Sequence, residues 1–144
     1  NIMRVLDLPF TKRLGITKSE LKQYLLKLEF SKENANHIGT IHGSASYSLA
    51  EITSGYFLNT NFADIADDTM PIVRNATIKY KKGCMSILHS KAKLIDTTLD
   101  DILLQLKFKR KCHATIEVRL YDPENTLISI SEFEWFITMQ KSTT

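Results

Sequence analysis

The chain is poor in the residues that break or staple a fold. With five glycines and three prolines in 144 residues, there is no Pro/Gly-rich linker, and neither an internal repeat nor a low-complexity tract appears. The only cysteines, Cys84 and Cys112, have no metal-ligand spacing and no CxxC pattern, so reduced thiols in a cytoplasmic protein are expected. No apolar run approaches the ~18 residues of a membrane span. The stretch holding Asp7, Pro9, Lys12 and Arg13 lacks a signal-peptide core, and no membrane association is expected. Charge of one sign is scarce as well. A net charge of +3 falls short of a nucleic-acid binder's basic footprint, though it suits attraction of a small anionic ligand.

What is present fits a single domain, residues 1–144, large enough to hold a core without disulfides or metal. Thr17 or Ser19 as cap, with Leu21, Tyr24, Leu25 and Leu28 recurring behind it, predicts an N-terminal helix over about 18–30. A polar, irregular stretch leads to a second helix, over about 44–58, with Ser44 as N-cap. Ala45, Leu49, Ile52 and Tyr56 form its apolar stripe. From His42 to Ala63, Glu51 is the only Asp, Glu, Lys or Arg. A helix with so little charge is expected to be enclosed nearly all round.

Strand patterns dominate the rest. They run over Ile72–Lys81, Met85–Ile95, the alternating Ala114, Ile116, Val118 and Leu120, and Leu127–Met139, with a short helix over Thr98–Phe108 and a turn at Asp122–Asn125. Strands gathered after a buried helix predict an α+β fold, an antiparallel sheet wrapped around that helix. Sheet edges need protection, and edge pairing in a dimer is one means.

The chemistry concentrates in Asn36 to Gly43 and the helix behind it. Gly43 allows close approach of a ligand to the backbone. The first N–H groups of the following helix lack intrahelical partners and can face a developing oxyanion. Glu51 lies two turns on, about 12 Å away at 1.5 Å per residue. A two-fold dimer bridges that gap if Glu51 of one chain faces the Gly43 end of the other.

Asn36, His42-Gly43, Leu49-Ala50-Glu51 and Ser54-Gly55, followed by Ala76–Tyr80 and Lys82-Gly83, resemble the signature of hotdog-fold acyl-CoA thioesterases, the PaaI-like branch in particular. The resemblance implies a hotdog fold, a homodimer or dimer of dimers, and hydrolysis of an acyl-CoA or acyl-carrier thioester without metal or organic cofactor. It implies Glu51 as base or nucleophile, Gly43 as the donor polarising the carbonyl, Asn36 as an orienting group and His42 at the thioester. Ser44 stands where the pattern usually has a second glycine. Gly55 stands where some members carry a hydroxyl that Thr53 or Ser54 would have to replace.

Tyr47, with Phe57, Leu58 and Phe62, is expected to line an acyl tunnel. Lys79, Lys81 and Lys82, or Lys107 to Lys111, would meet the phosphates of coenzyme A or else be solvated faces. Two other readings stay open: a non-catalytic acyl-binding module, and an acyl-thioester dehydratase using His37, 14 residues before Glu51.

Overall fold

In the computed structural model, which describes residues 4–140, the central element is helix α2, Gly43–Asn61. Its small residues Ala45, Ser46, Ala50 and Ser54 are buried together with Leu49, Ile52, Thr53 and Leu58. Burial therefore runs almost round the helix, as its lack of charge implies. Around it curves one antiparallel sheet: β1 (Thr17–Lys18), β2 (Leu26–Glu29), β3 (Thr69–Tyr80), β4 (Ile87–Leu94), β5 (Lys111–Tyr121) and β6 (Leu127–Met139), in the order β1-β2-β4-β5-β6-β3. Helix α3, Leu99–Lys109, joins β4 to β5. Thr98 caps it by accepting the Asp101 N–H at 3.1 Å.

Period-two alternation builds the core. Cys112, Ala114, Ile116, Val118 and Leu120 of β5 face α2 beside Phe133, Trp135 and Ile137 of β6, all buried. Both cysteines are buried free thiols, and burial pushes Cys112 up to about 11. Among the described residues, no helix is long and apolar enough to cross a membrane.

The N-terminal region departs from the expected helix over 18–30. The helix lies earlier: α1, Pro9–Leu14, starts with Pro at its first turn and stops at Gly15, whose φ of 77° is left-handed. Residues 18–30 form β1, a turn and β2 instead. The Leu and Tyr spacing admitted both periods, and pairing decided it. Leu28 stands opposite Leu88, and Leu26 and Leu28 are both buried, while Lys27 and Glu29 point outward. Ser19 caps only a turn, accepting the Leu21 N–H at 3.1 Å and bonding His89 Nδ1 at 2.9 Å.

The two sheet edges are unequal. β1 has two residues and β3 has twelve. Among the described residues β3 pairs on one side only, with β6, through a register shift between Val73 and Asn75. Met70, Ile72 and Tyr80 on it are exposed. A long, apolar, unpaired edge of this kind is a template for another strand.

Candidate active site

The start of α2 is assembled from three chain segments. Asn36 folds the preceding loop onto itself: its Oδ1 accepts the N–H groups of Ile38 and Thr40 at 3.1 and 2.9 Å, and its Nδ2 donates to Thr40 Oγ1 at 2.7 Å. Thr40 in turn lies where a Cβ on Gly83 would come within 2.9 Å, so only glycine lets the Lys82-Gly83 turn close on this loop. The Ile41 N–H donates to Cys84 O at 2.8 Å, fastening the loop to the same turn.

His42, not Ser44, is the N-cap. Its Nδ1 accepts the Ser44 N–H at 2.9 Å, and its carbonyl accepts from Ala45 and Ser46. An imidazole can cap because it supplies a lone pair at the reach a Ser or Asp side chain has. Ser44 is exposed one residue into the helix, its carbonyl accepting from Ser48 Oγ. The Gly43 N–H meets no acceptor among the described residues. It is the open donor at the positive end of a 19-residue helix.

Tyr80, at the end of β3, closes over Gly43. Its hydroxyl donates to Gly43 O at 3.1 Å, and its ring lies 3.3 Å from where a Gly43 Cβ would stand. Burial raises the Tyr80 phenol above its ordinary value, with the nearby Tyr47 adding to it. Tyr47, half-buried one turn into α2, sets its own ring edge-on against Phe133 at 5.7 Å. Lys79, Lys81 and Lys82 flank Tyr80 on exposed backbone, and no carboxylate pairs with them among the described residues. In the sequence Tyr80 figures only as the end of the Ala76–Tyr80 strand segment, with no role at the helix start.

Glu51 stands apart from this cluster. It is half-buried, and its carboxylate makes no hydrogen bond or ion pair among the described residues. Removal from water, with no compensating cation, raises its pKa above the ordinary 4.5. The Gly43 end and Glu51 are not brought together within one chain. One turn beyond Glu51, Gly55 faces Trp135, whose ring carbon would be 3.5 Å from a Cβ there.

The hydroxyls next to Gly55 point elsewhere. Thr53 Oγ1 binds Leu49 O and Ser90 Oγ, and Ser54 Oγ donates to Glu51 O while accepting Trp135 Nε1–H at 3.0 Å. Both are buried and bonded within the chain. His37 is exposed on the loop, and among the described residues no three His, Cys, Asp or Glu gather as a metal cluster.

Comparison with known proteins bears on this arrangement. A family model described as a domain of unknown function (DUF4442) matches residues 2–137. No curated protein matches the sequence. Among solved structures, a Pseudomonas aeruginosa protein of unknown function, described as a probable thioesterase, superposes with TM-score 0.80 at 21% identity, covering 94% of this chain and 91% of its own. A Haemophilus influenzae thioesterase gives TM-score 0.72 at 15% identity over 96% and 88%. A hypothetical thioesterase protein from Streptococcus pneumoniae, solved with coenzyme A, gives 0.63 at 16% identity over 88% of each chain. At these identities the likeness establishes the fold, which is the hotdog fold.

Proposed function

This chain belongs to the DUF4442 family, and we propose that it hydrolyses acyl thioesters at a site shared between two copies of itself. The observation that carries this reading is Glu51: a half-buried carboxylate without a partner among the described residues, on a helix otherwise free of charge. Structure alone gives such a group no reason to persist, because an unpaired buried carboxylate is costly. A general base held above the ordinary carboxylate range has one.

Glu51 takes a proton from water as the oxygen adds to the thioester carbon. The carbonyl oxygen turns negative against the Gly43 N–H, the open donor at the helix start. Collapse of the tetrahedral species breaks the C–S bond, and the proton held by Glu51 passes to the leaving sulfur. Lys79, Lys81 and Lys82, which pair with no carboxylate among the described residues, offer cations to the phosphates of coenzyme A. The coenzyme A bound to the Streptococcus pneumoniae protein on the same fold supports that choice of thiol.

One chain cannot do this alone, because about 12 Å of helix separates Gly43 from Glu51. Antiparallel pairing of two β3 edges would bury Met70 and Ile72 and satisfy the unpaired edge while aligning two α2 helices. The homodimer is thus part of the mechanism.

Thiol release from a panel of acyl-CoAs tests the activity. Complementation tests the shared site. Glu51→Gln and Gly43→Pro chains are each expected inactive. Mixed in equal amounts after dissociation, they should regain about a quarter of parental activity, since half the dimers are mixed and each keeps one intact site. No recovery from two chains that do exchange refutes a site built across the dimer. A second reading, an acyl-binding module without turnover, is favoured by the inward-turned hydroxyls of Thr53 and Ser54. It predicts saturable binding and no thiol release.

A further inference from the structure

An apolar cavity of about 250 Å³ lies along the C-terminal half of α2. Gly55, Leu58 and Phe62 supply its helix wall, Trp135 and Leu106 its far side. These helix positions continue from Glu51 at i+4, i+7 and i+11, so one stripe of α2 carries first the carboxylate and then the cavity. We propose that this cavity takes the acyl chain of the thioester and selects unbranched aliphatic chains of medium length. The inference rests on the thioesterase reading and adds the substrate class.

Its dimensions set the class. From Gly55 to Phe62 the helix rises about 10 Å, a span that a straight chain of about eight carbons covers at ~1.3 Å per bond. A volume of 250 Å³ over that length leaves a cross-section of roughly 25 Å², room for one hydrocarbon chain whose atoms touch their neighbours at ~4 Å. The cavity is also smaller than the ~300–1,000 Å³ pockets that enclose whole ligands, so it suits the chain and not the thiol half.

The lining is chemically suited as well. Trp135 ties its indole N–H to Ser54 Oγ at 3.0 Å and turns only ring carbon toward Gly55. Leu106 reaches the cavity from α3, and Val5 and Leu8 close it from the N-terminal segment. Leu8 is 39% exposed and sits at the rim.

Gly55 is the place to test it. A Cβ there would meet Trp135 at 3.5 Å, ordinary contact, so Gly55→Ala is tolerated, and replacing a mid-helix glycine favours the helix. Gly55→Val puts a branched group into the near end of the cavity. Binding is read by calorimetry with non-hydrolysable S-alkyl-CoA thioethers, and turnover by thiol release from the matching acyl-CoAs.

For the parent, affinity should climb roughly four-fold per methylene and level off near eight carbons, with kcat/KM following. In Gly55→Val the octyl-to-butyl preference should fall at least ten-fold. Affinity that ignores chain length, or a preference that Gly55→Val leaves intact in a folded protein, overturns the inference even if thioesters are hydrolysed. Chain-length-dependent binding without turnover supports the cavity and refutes hydrolysis. Neither binding nor turnover refutes both.

Discussion

The two ends of α2 are built on opposite principles. At its start hydrogen bonds dominate, most of them local: Asn36 holds its loop and His42 caps Ser44, while Tyr80 reaches over from β3 to cover Gly43. At its far end the contacts are apolar and distant, with Trp135, Leu106 and Val5 arriving from three other elements. Hydrogen-bond donors must be fixed to a fraction of an ångström to stabilise a transition state, and short-range bonds can do that. An aliphatic chain needs only a wall of the right volume, which side chains from anywhere can form. The protein can therefore vary at one end only: the wall can change substrate, whereas the polar end can only keep or lose activity.

Glu51 sits at the junction, and replacing it should have the largest effect. Glu51→Gln is expected to lower kcat/KM at least ~100-fold, about 2.7 kcal/mol of transition-state stabilisation, in thiol-release assays. A smaller loss would move Glu51 from chemistry to scaffolding. The polar end comes next. Proline is accommodated at the first helical position, so Gly43→Pro deletes the N–H without breaking α2, and kcat should drop about 100-fold. Gly43→Ala meets Tyr80 equally closely but keeps the donor, and should lose about ten-fold at most. Equal losses in the two variants would assign the effect to Tyr80 and not to the N–H.

The same contrast governs how much could be read from the sequence. The motif around the polar end is local: Gly43 stood out before a helix start and Glu51 as the helix's lone charge, while Asn36 and His42 were marked by the resemblance to the thioesterase signature. Strands β5 and β6 followed from periodicity, because each buries a face of its own, whereas the central helix showed by its lack of charge and β3 by its β-forming residues. Residues 18–30 misled because Leu21, Tyr24, Leu25 and Leu28 satisfy a helical period, while the pairing of Leu28 with Leu88 is a long-range fact. The cap moved from Ser44 to His42 because residue statistics favour serine where geometry favoured the imidazole. Tyr80 over Gly43 and Trp135 beside Gly55 join residues far apart in sequence, and nothing local announces either contact.

At the apolar end a smaller effect is expected, on stability. Trp135→Phe removes the hydrogen bond to buried Ser54 and leaves space in a wall that is otherwise packed. The cost should be about 2 kcal/mol, measured by denaturant unfolding. Ser54→Ala in the same background should cost little more, since the two changes share one interaction. Full additivity would mean that the bond contributes nothing and that only packing holds this end.

The smallest effect is the most diagnostic, since it separates strain from support. The Glu51 pKa is raised in the folded chain by burial, so folding disfavours its charged form. The associated stability is fully present below the unfolded value of about 4.5 and is lost as pH rises through the folded pKa. At pH 7 the parent therefore carries the cost of a buried charge that Glu51→Gln lacks. The variant should melt no lower than the parent at pH 7, and the difference should shrink toward zero as pH falls below ~4.5. The acid limb of the parent's kcat/KM profile should lie above that same value, because the base must be ionised to act. A parent that melts higher than the variant at neutral pH would reveal a cation supplied by the second copy, and would make Glu51 a structural ion pair at the dimer interface.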